Sequence, residues 1–202
     1  MERFATFLTD CIAHKNAITE EDYEIYKYGF LTGLELFVYM VTCLTVAIWM
    51  GMTVECIVFL LIFFCLRSFV GGLHMNSFKV CFLFSCIVTF FSLLVIKYCP
   101  ISKEISIVAS VCEIIFIFFL PPVENVNRLV DEKEKIIFSL KIKKILLALS
   151  LLVIFFYISG LDRYLTTVTY TLAVIIFSMF LGKYKNTIDE CKGIDECGDI
   201  ID

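Results

Sequence analysis

The sequence predicts an all-α polytopic membrane protein: about six transmembrane or re-entrant helices preceded by an amphipathic N-terminal helix. Three observations predict it. The 202 residues are 60% hydrophobic and include 21 Phe, with a mean hydropathy of +0.90. Soluble domains are about 45–50% apolar, and one core of this size cannot hide so much apolar surface from water. The apolar residues also gather in runs of the length a bilayer requires; no charge interrupts Val80 to Ile96. Third, the basic residues are unevenly shared between the turns that would face the two sides.

In order, residues 1–28 form an amphipathic segment. Phe4, Phe7, Leu8, Cys11 and Ile12 recur at helical spacing, which suits a helix lying on the membrane or a cap packed on the bundle. Thr19 ahead of Glu20, Glu21 and Asp22 suits a helix start, where carboxylates meet the positive end of the dipole. The bundle, residues 29–182, begins with a span over 29–52, in which Trp49 sits where an interface anchor would. A short second span over 53–66 is followed by a third over 80–98. Cys99-Pro100-Ile101-Ser102 turns the chain into a fourth span over 104–120, which Pro121-Pro122 ends. A charged loop over 121–144 leads to a fifth span over 145–160, and a sixth covers 164–182. Together 1–182 make one membrane domain, and 183–202 are an acidic tail.

With both termini cytoplasmic, 14 of the 17 basic residues lie inside, leaving Lys97, Lys103 and Arg163 outside. No basic, aromatic-interleaved face points to nucleic acid. Ten cysteines do not make a disulfide framework: Cys43, Cys56, Cys65, Cys86 and Cys112 lie inside apolar runs, where Cys packs as a small hydrophobe. The tail repeats Ile188-Asp189-Glu190-Cys191 as Ile194-Asp195-Glu196-Cys197. These thiols are spaced more widely than the usual zinc pairs, so neither metal nor cofactor is expected.

The chemistry-bearing stretch is Arg67 to Cys81, which holds Gly71-Gly72, His74, Asn76, Ser77 and Lys79. A thiol attacks as thiolate, and His74 is a base seven residues before Cys81. In one continuous helix those two would stand about 10 Å apart along the axis, whereas proton transfer needs about 3 Å. The backbone must therefore bend between them. Gly71-Gly72 loosens the chain, and Asn76 or Ser77 can cap a helix that runs through Phe78, Lys79 and Val80 into the third span. Arg67 and Lys79 could favour the thiolate, grip a substrate carboxylate, or anchor at headgroups. Ser85, one turn past Cys81, could line the site or bond its own helix. On residue type alone, His74 could be a polar-belt histidine and Cys81 a packing thiol. Glu35, Glu55 and Glu113 lie in spans, where ionisable groups face protein or water; each is a candidate third member beside His74.

Arg67-x3-Gly71-Gly72-x-His74-x6-Cys81, set between two apolar runs, resembles the core of the accessory gene regulator protein B (AgrB) family. Tyr28-Gly29 with Gly33-Leu34-Glu35 resembles that family's entry into its first span. Pro121-Pro122-Val123-Glu124-Asn125, continuing to Asp131-Glu132-Lys133-Glu134-Lys135, resembles its large cytoplasmic loop. The resemblance implies a bacterial cell-membrane cysteine endopeptidase that cleaves the propeptide of a quorum-sensing pheromone at the cytoplasmic face. It implies Cys81 as nucleophile, His74 as base, and closure of the product into a ring through a Cys-linked thioester. Arg67, Gly71, Gly72, Lys79 and Ser85 are then substrate-binding or supporting residues. The implied partners are a small AgrD-like propeptide and the lipid bilayer, with a homodimer as an allowed assembly. The alternative from another class is a small transporter or peptide exporter that uses Glu35, Glu55 and Glu113 as a polar pathway; a non-catalytic scaffold is a third.

Overall fold

The computed structural model describes residues 2–13, 22–71, 78–120 and 132–198, without the side chains of 78, 79, 132–135 and 189–198. Among the described residues the chain is all-α: α1 (Glu2–Ala13), α2 (Tyr23–Met50), α3 (Thr53–Val70), α4 (Phe78–Tyr98), α5 (Lys103–Phe119), α6 (Glu132–Ile158) and α7 (Asp162–Gly198). Among the described residues, four helices are long and apolar enough to cross a membrane, namely α2, α3, α4 from Val80 and α7 to Ile188. The fold is that of a polytopic membrane protein.

Local chemistry sets the breaks. α2 stops at Gly51, which takes the left-handed conformation at φ 69°. The amides of Gly51 and Met52 donate back to the carbonyls of Ile48 and Ala47, the reciprocal pattern that closes a helix on glycine. Two residues thus join α2 to α3 as an antiparallel hairpin. Ser102 caps α5 by accepting from the amide of Ile105. Leu120, the residue before Pro121, is extended at ψ 124° and ends that helix.

α7 is the central element. Leu165, Val168, Leu172, Ile175 and Met179 are each 0% exposed. Their alternating spacing of three and four makes one continuous seam. α7 packs along α3 and α5, and more lightly on α4 and α6. Against α5 the contact is polar: Ser110 and Thr169 share a hydroxyl hydrogen bond of 2.8 Å, and Thr169 also donates to the carbonyl of Ser106. Small hydroxyl residues let two helix backbones approach closely where lipid gives no hydrophobic drive. The outward faces stay apolar; Phe37, Leu61, Phe91, Leu151 and Phe177 are all more than half exposed, as lipid-facing side chains are.

Two boundaries differ from the sequence reading. α3 continues past residue 66 to Val70, so Arg67 lies in its last turn. α6 begins at Glu132 rather than 145. In both places a charge marks the expected end, yet the charge rides on an aromatic ring. The Arg67 guanidinium lies 5.3 Å from the Phe63 ring, Lys141 Nζ 5.1 Å from Phe69 and Lys143 Nζ 5.5 Å from Phe118. Long cationic stems cover apolar surface in this way without ending a helix.

α1 packs on α2 through small residues. Ala5 and Thr9 are buried, while Phe4 and Phe7 are 52% and 60% exposed. The helix therefore packs on α2 with one face, as a cap would, and leaves its aromatic face exposed. The Tyr23 hydroxyl donates to Asp10 at 2.6 Å and ties the two helices.

Candidate active site

The described helices bring three of the expected residues to one end of the bundle. Cys81 is the fourth residue of α4, so it stands in the first turn of that helix and is half-buried. Arg67 stands in the last turn of α3. It interacts electrostatically with Cys81 and with Tyr39 of α2. Ser85 follows Cys81 by one turn and lines a cavity together with Arg67.

Gly71 is the cap of α3. Its φ of 78° is a conformation glycine adopts without cost, and its amide donates to the carbonyl of Arg67 at 3.1 Å. The helix that carries Arg67 thus ends three residues after it. α4 starts at Phe78, the start expected from a cap at Asn76 or Ser77. His74 and Gly72 lie outside the described residues, as do Asn76, Ser77 and the side chain of Lys79.

The cavity sits where α2, α3, α4 and α7 meet. Tyr39, Phe63, Arg67, Ser85, Val88, Thr89, Val174, Phe177, Ser178 and Leu181 line it. The Tyr39 hydroxyl and Thr89 Oγ1 are 2.6 Å apart and share a hydrogen bond. Ser178 donates to the carbonyl of Ile175. Tyr39 and Thr89 were not singled out by sequence reasoning. Thr89 had a signal: Cys81, Ser85 and Thr89 step by four and share one face of α4. Tyr39 had none, because only packing brings α2 to that face.

The carboxylates part ways. Glu55, 5% exposed, lies in the first turn of α3 and pairs with Arg163 at 2.5 Å. It is twelve residues from Arg67, about 18 Å along the helix, so it belongs to the other end of the bundle. Among the described residues, Glu113 on α5 has one carboxylate oxygen that is buried without a hydrogen-bond partner. The eight cysteines with described side chains are all free; Cys43 and Cys56 are buried.

This arrangement puts the Cys81 thiol at the start of a helix, where backbone N–H groups are unsatisfied, at the end of the bundle where α3 carries Arg67. Such a place suits the negative charge that forms on sulfur and then on a carbonyl oxygen during acyl transfer. Among known proteins, the model of the family described as Accessory gene regulator B (AgrB) matches residues 4–188. No curated protein and no solved structure matches the chain.

Proposed function

We propose a membrane cysteine peptidase, starting from one premise: the chain belongs to the AgrB family, and with it to the accessory gene regulator system. In this reading a small propeptide lies at the cytoplasmic face with one peptide carbonyl against Cys81. The sulfur attacks that carbonyl, and His74 takes the thiol proton. The C–N bond then breaks, His74 returns the proton to the departing amine, and the acyl part stays on Cys81 as a thioester. A thiol of the substrate next attacks the thioester carbonyl. The Cys81 sulfur leaves, and the product closes into a thiolactone ring. Exchanging one thioester for another is nearly energy-neutral, so the protein's main task is to exclude water.

The observation that supports the reading is the place of Cys81 in the first turn of α4, within electrostatic reach of Arg67 in the last turn of α3. A transport pathway built on Glu35, Glu55 and Glu113 would need Glu55, which Arg163 already holds. The test is cleavage of the propeptide in membranes that carry the full chain. Cys81→Ala and His74→Ala are expected to insert normally and to leave the propeptide whole. An active Cys81→Ala protein would overturn the proposal.

A further inference from the structure

α1 carries three rows of side chains, and each meets different surroundings. On a helix of about 3.6 residues per turn, Phe4, Phe7 and Cys11 stand in one row and Ala5 and Thr9 on the far side, with Glu2, Arg3, Thr6 and Asp10 along one flank. Ala5 and Thr9 are buried on α2. The polar flank borders an open cleft shared with Lys27 and Leu31 of α2. The first row is exposed, and its Phe4 and Phe7 rings lie 6.5 Å apart. α1 also stands at a definite height. Asp10 accepts from Tyr23 at the start of α2, while Arg3 and Phe7 share the cleft with Lys27 and Leu31. The helix thus runs back alongside the first turns of α2. That level also holds Tyr28, 67% exposed. Trp49, 85% exposed, stands about 32 Å further along α2. This separation matches a hydrocarbon core about 30 Å thick, and Tyr and Trp gather at the two edges of such a core.

We propose that the Phe4, Phe7 and Cys11 face of α1 is a membrane-docking surface, seated where headgroups meet acyl chains in the leaflet in which α2 begins. Lipid is the occupant for two reasons. The row is uncharged and the charges of α1 keep to its flank, the division found in helices held at a bilayer interface. The row also stands at the level of Tyr28, where the outward apolar face of α2 begins. It is therefore continuous with a surface, including Phe37 at 64% exposed, that acyl chains cover. Docked in this way, α1 sets the depth of α2 from the side. The inference does not depend on the peptidase reading.

Trp49 is the only tryptophan, so Trp49→Phe gives a silent background. In it, Phe4→Trp and Phe7→Trp each report the exposed row and Thr6→Trp reports the polar flank. Each full-length variant is placed in phosphatidylcholine nanodiscs, with or without lipids brominated high on their acyl chains, and tryptophan emission is read. Iodide probes the water on both sides of the disc. Phe4→Trp and Phe7→Trp are expected to lose most of their emission to brominated lipid and little to iodide; Thr6→Trp should do the reverse. Positions 6 and 7 are neighbours on one helix, so a contrast between them reads the face and not the general depth of the chain. The two Phe positions exchange one aromatic ring for another and check each other. Equal quenching at all three positions, by either agent, would overturn the proposal. So would protection of Phe4→Trp and Phe7→Trp from both agents, the result expected if a second copy or another protein covers the face.

Discussion

α3 carries a charged residue near each end, and each meets a different fate. At one end Glu55 is buried and bonded to Arg163 of α7. At the other, Arg67 borders a cavity that Ser85, one turn past Cys81, also lines. Both places put charge into an apolar bundle, which is costly. The first offsets that cost within the protein by pairing opposite charges, and it pins the neighbouring ends of α3 and α7. At the second, the Arg67 guanidinium lies on the Phe63 ring at the rim of a cavity, near the end of the bundle where α4 begins. The pair at the first end reads as architecture, and the group at the second as chemistry.

The sharpest way to break this contrast is to replace each arginine. Arg67→Gln is expected to cut propeptide cleavage by about 100-fold or more, the scale of losing one stabilising donor at a reacting centre, a loss of activity far larger than the stability lost with its Phe63 contact. Arg163→Ala should do the opposite. It leaves Glu55 buried without its partner and is expected to cost about 2 kcal/mol in an unfolding assay. That is below the 3–5 kcal/mol of a fully buried pair because Arg163 is half exposed. Propeptide cleavage should survive in Arg163→Ala. If Arg163→Ala removed it, the two ends would not be separable.

Smaller effects sharpen the same division. Gly71→Ala forces a side chain into φ 78° with ψ −166°, a region only glycine adopts readily, at a cost of about 1–3 kcal/mol. Its stability loss should come with weaker cleavage, because the turn sits between Arg67 and the segment that leads to Cys81. Ser110→Ala removes one α5–α7 hydroxyl bond and should cost only about 0.6 kcal/mol, with cleavage unaffected; thermal unfolding in detergent reads it.

Much of this architecture is legible in the sequence, because apolar runs long enough to cross a bilayer have few other solutions. Gly51 and the Ser102 cap mark their turns with the residues those turns require. What hydropathy obscures is where a helix ends when its charges ride on aromatics, as Arg67 does on Phe63 and Lys141 on Phe69. It also obscures which helix is central. The seam from Leu165 to Met179 is present in the sequence but submerged in a segment that is apolar on most faces. The site is legible as Arg67, Gly71 and Cys81, since each has a distinct chemistry at a helix end. Tyr39 is not, because only tertiary packing carries it from α2 to the cavity.

The central claim is that an acyl group rests on Cys81. Incubating membranes that hold the chain with the propeptide, quenching in acid and mapping adducts by mass spectrometry tests it directly. The account predicts a propeptide fragment attached at Cys81, released by neutral hydroxylamine and missing in Cys81→Ala. Cleavage that proceeds with no hydroxylamine-labile adduct, and equally well in Cys81→Ala, would contradict it.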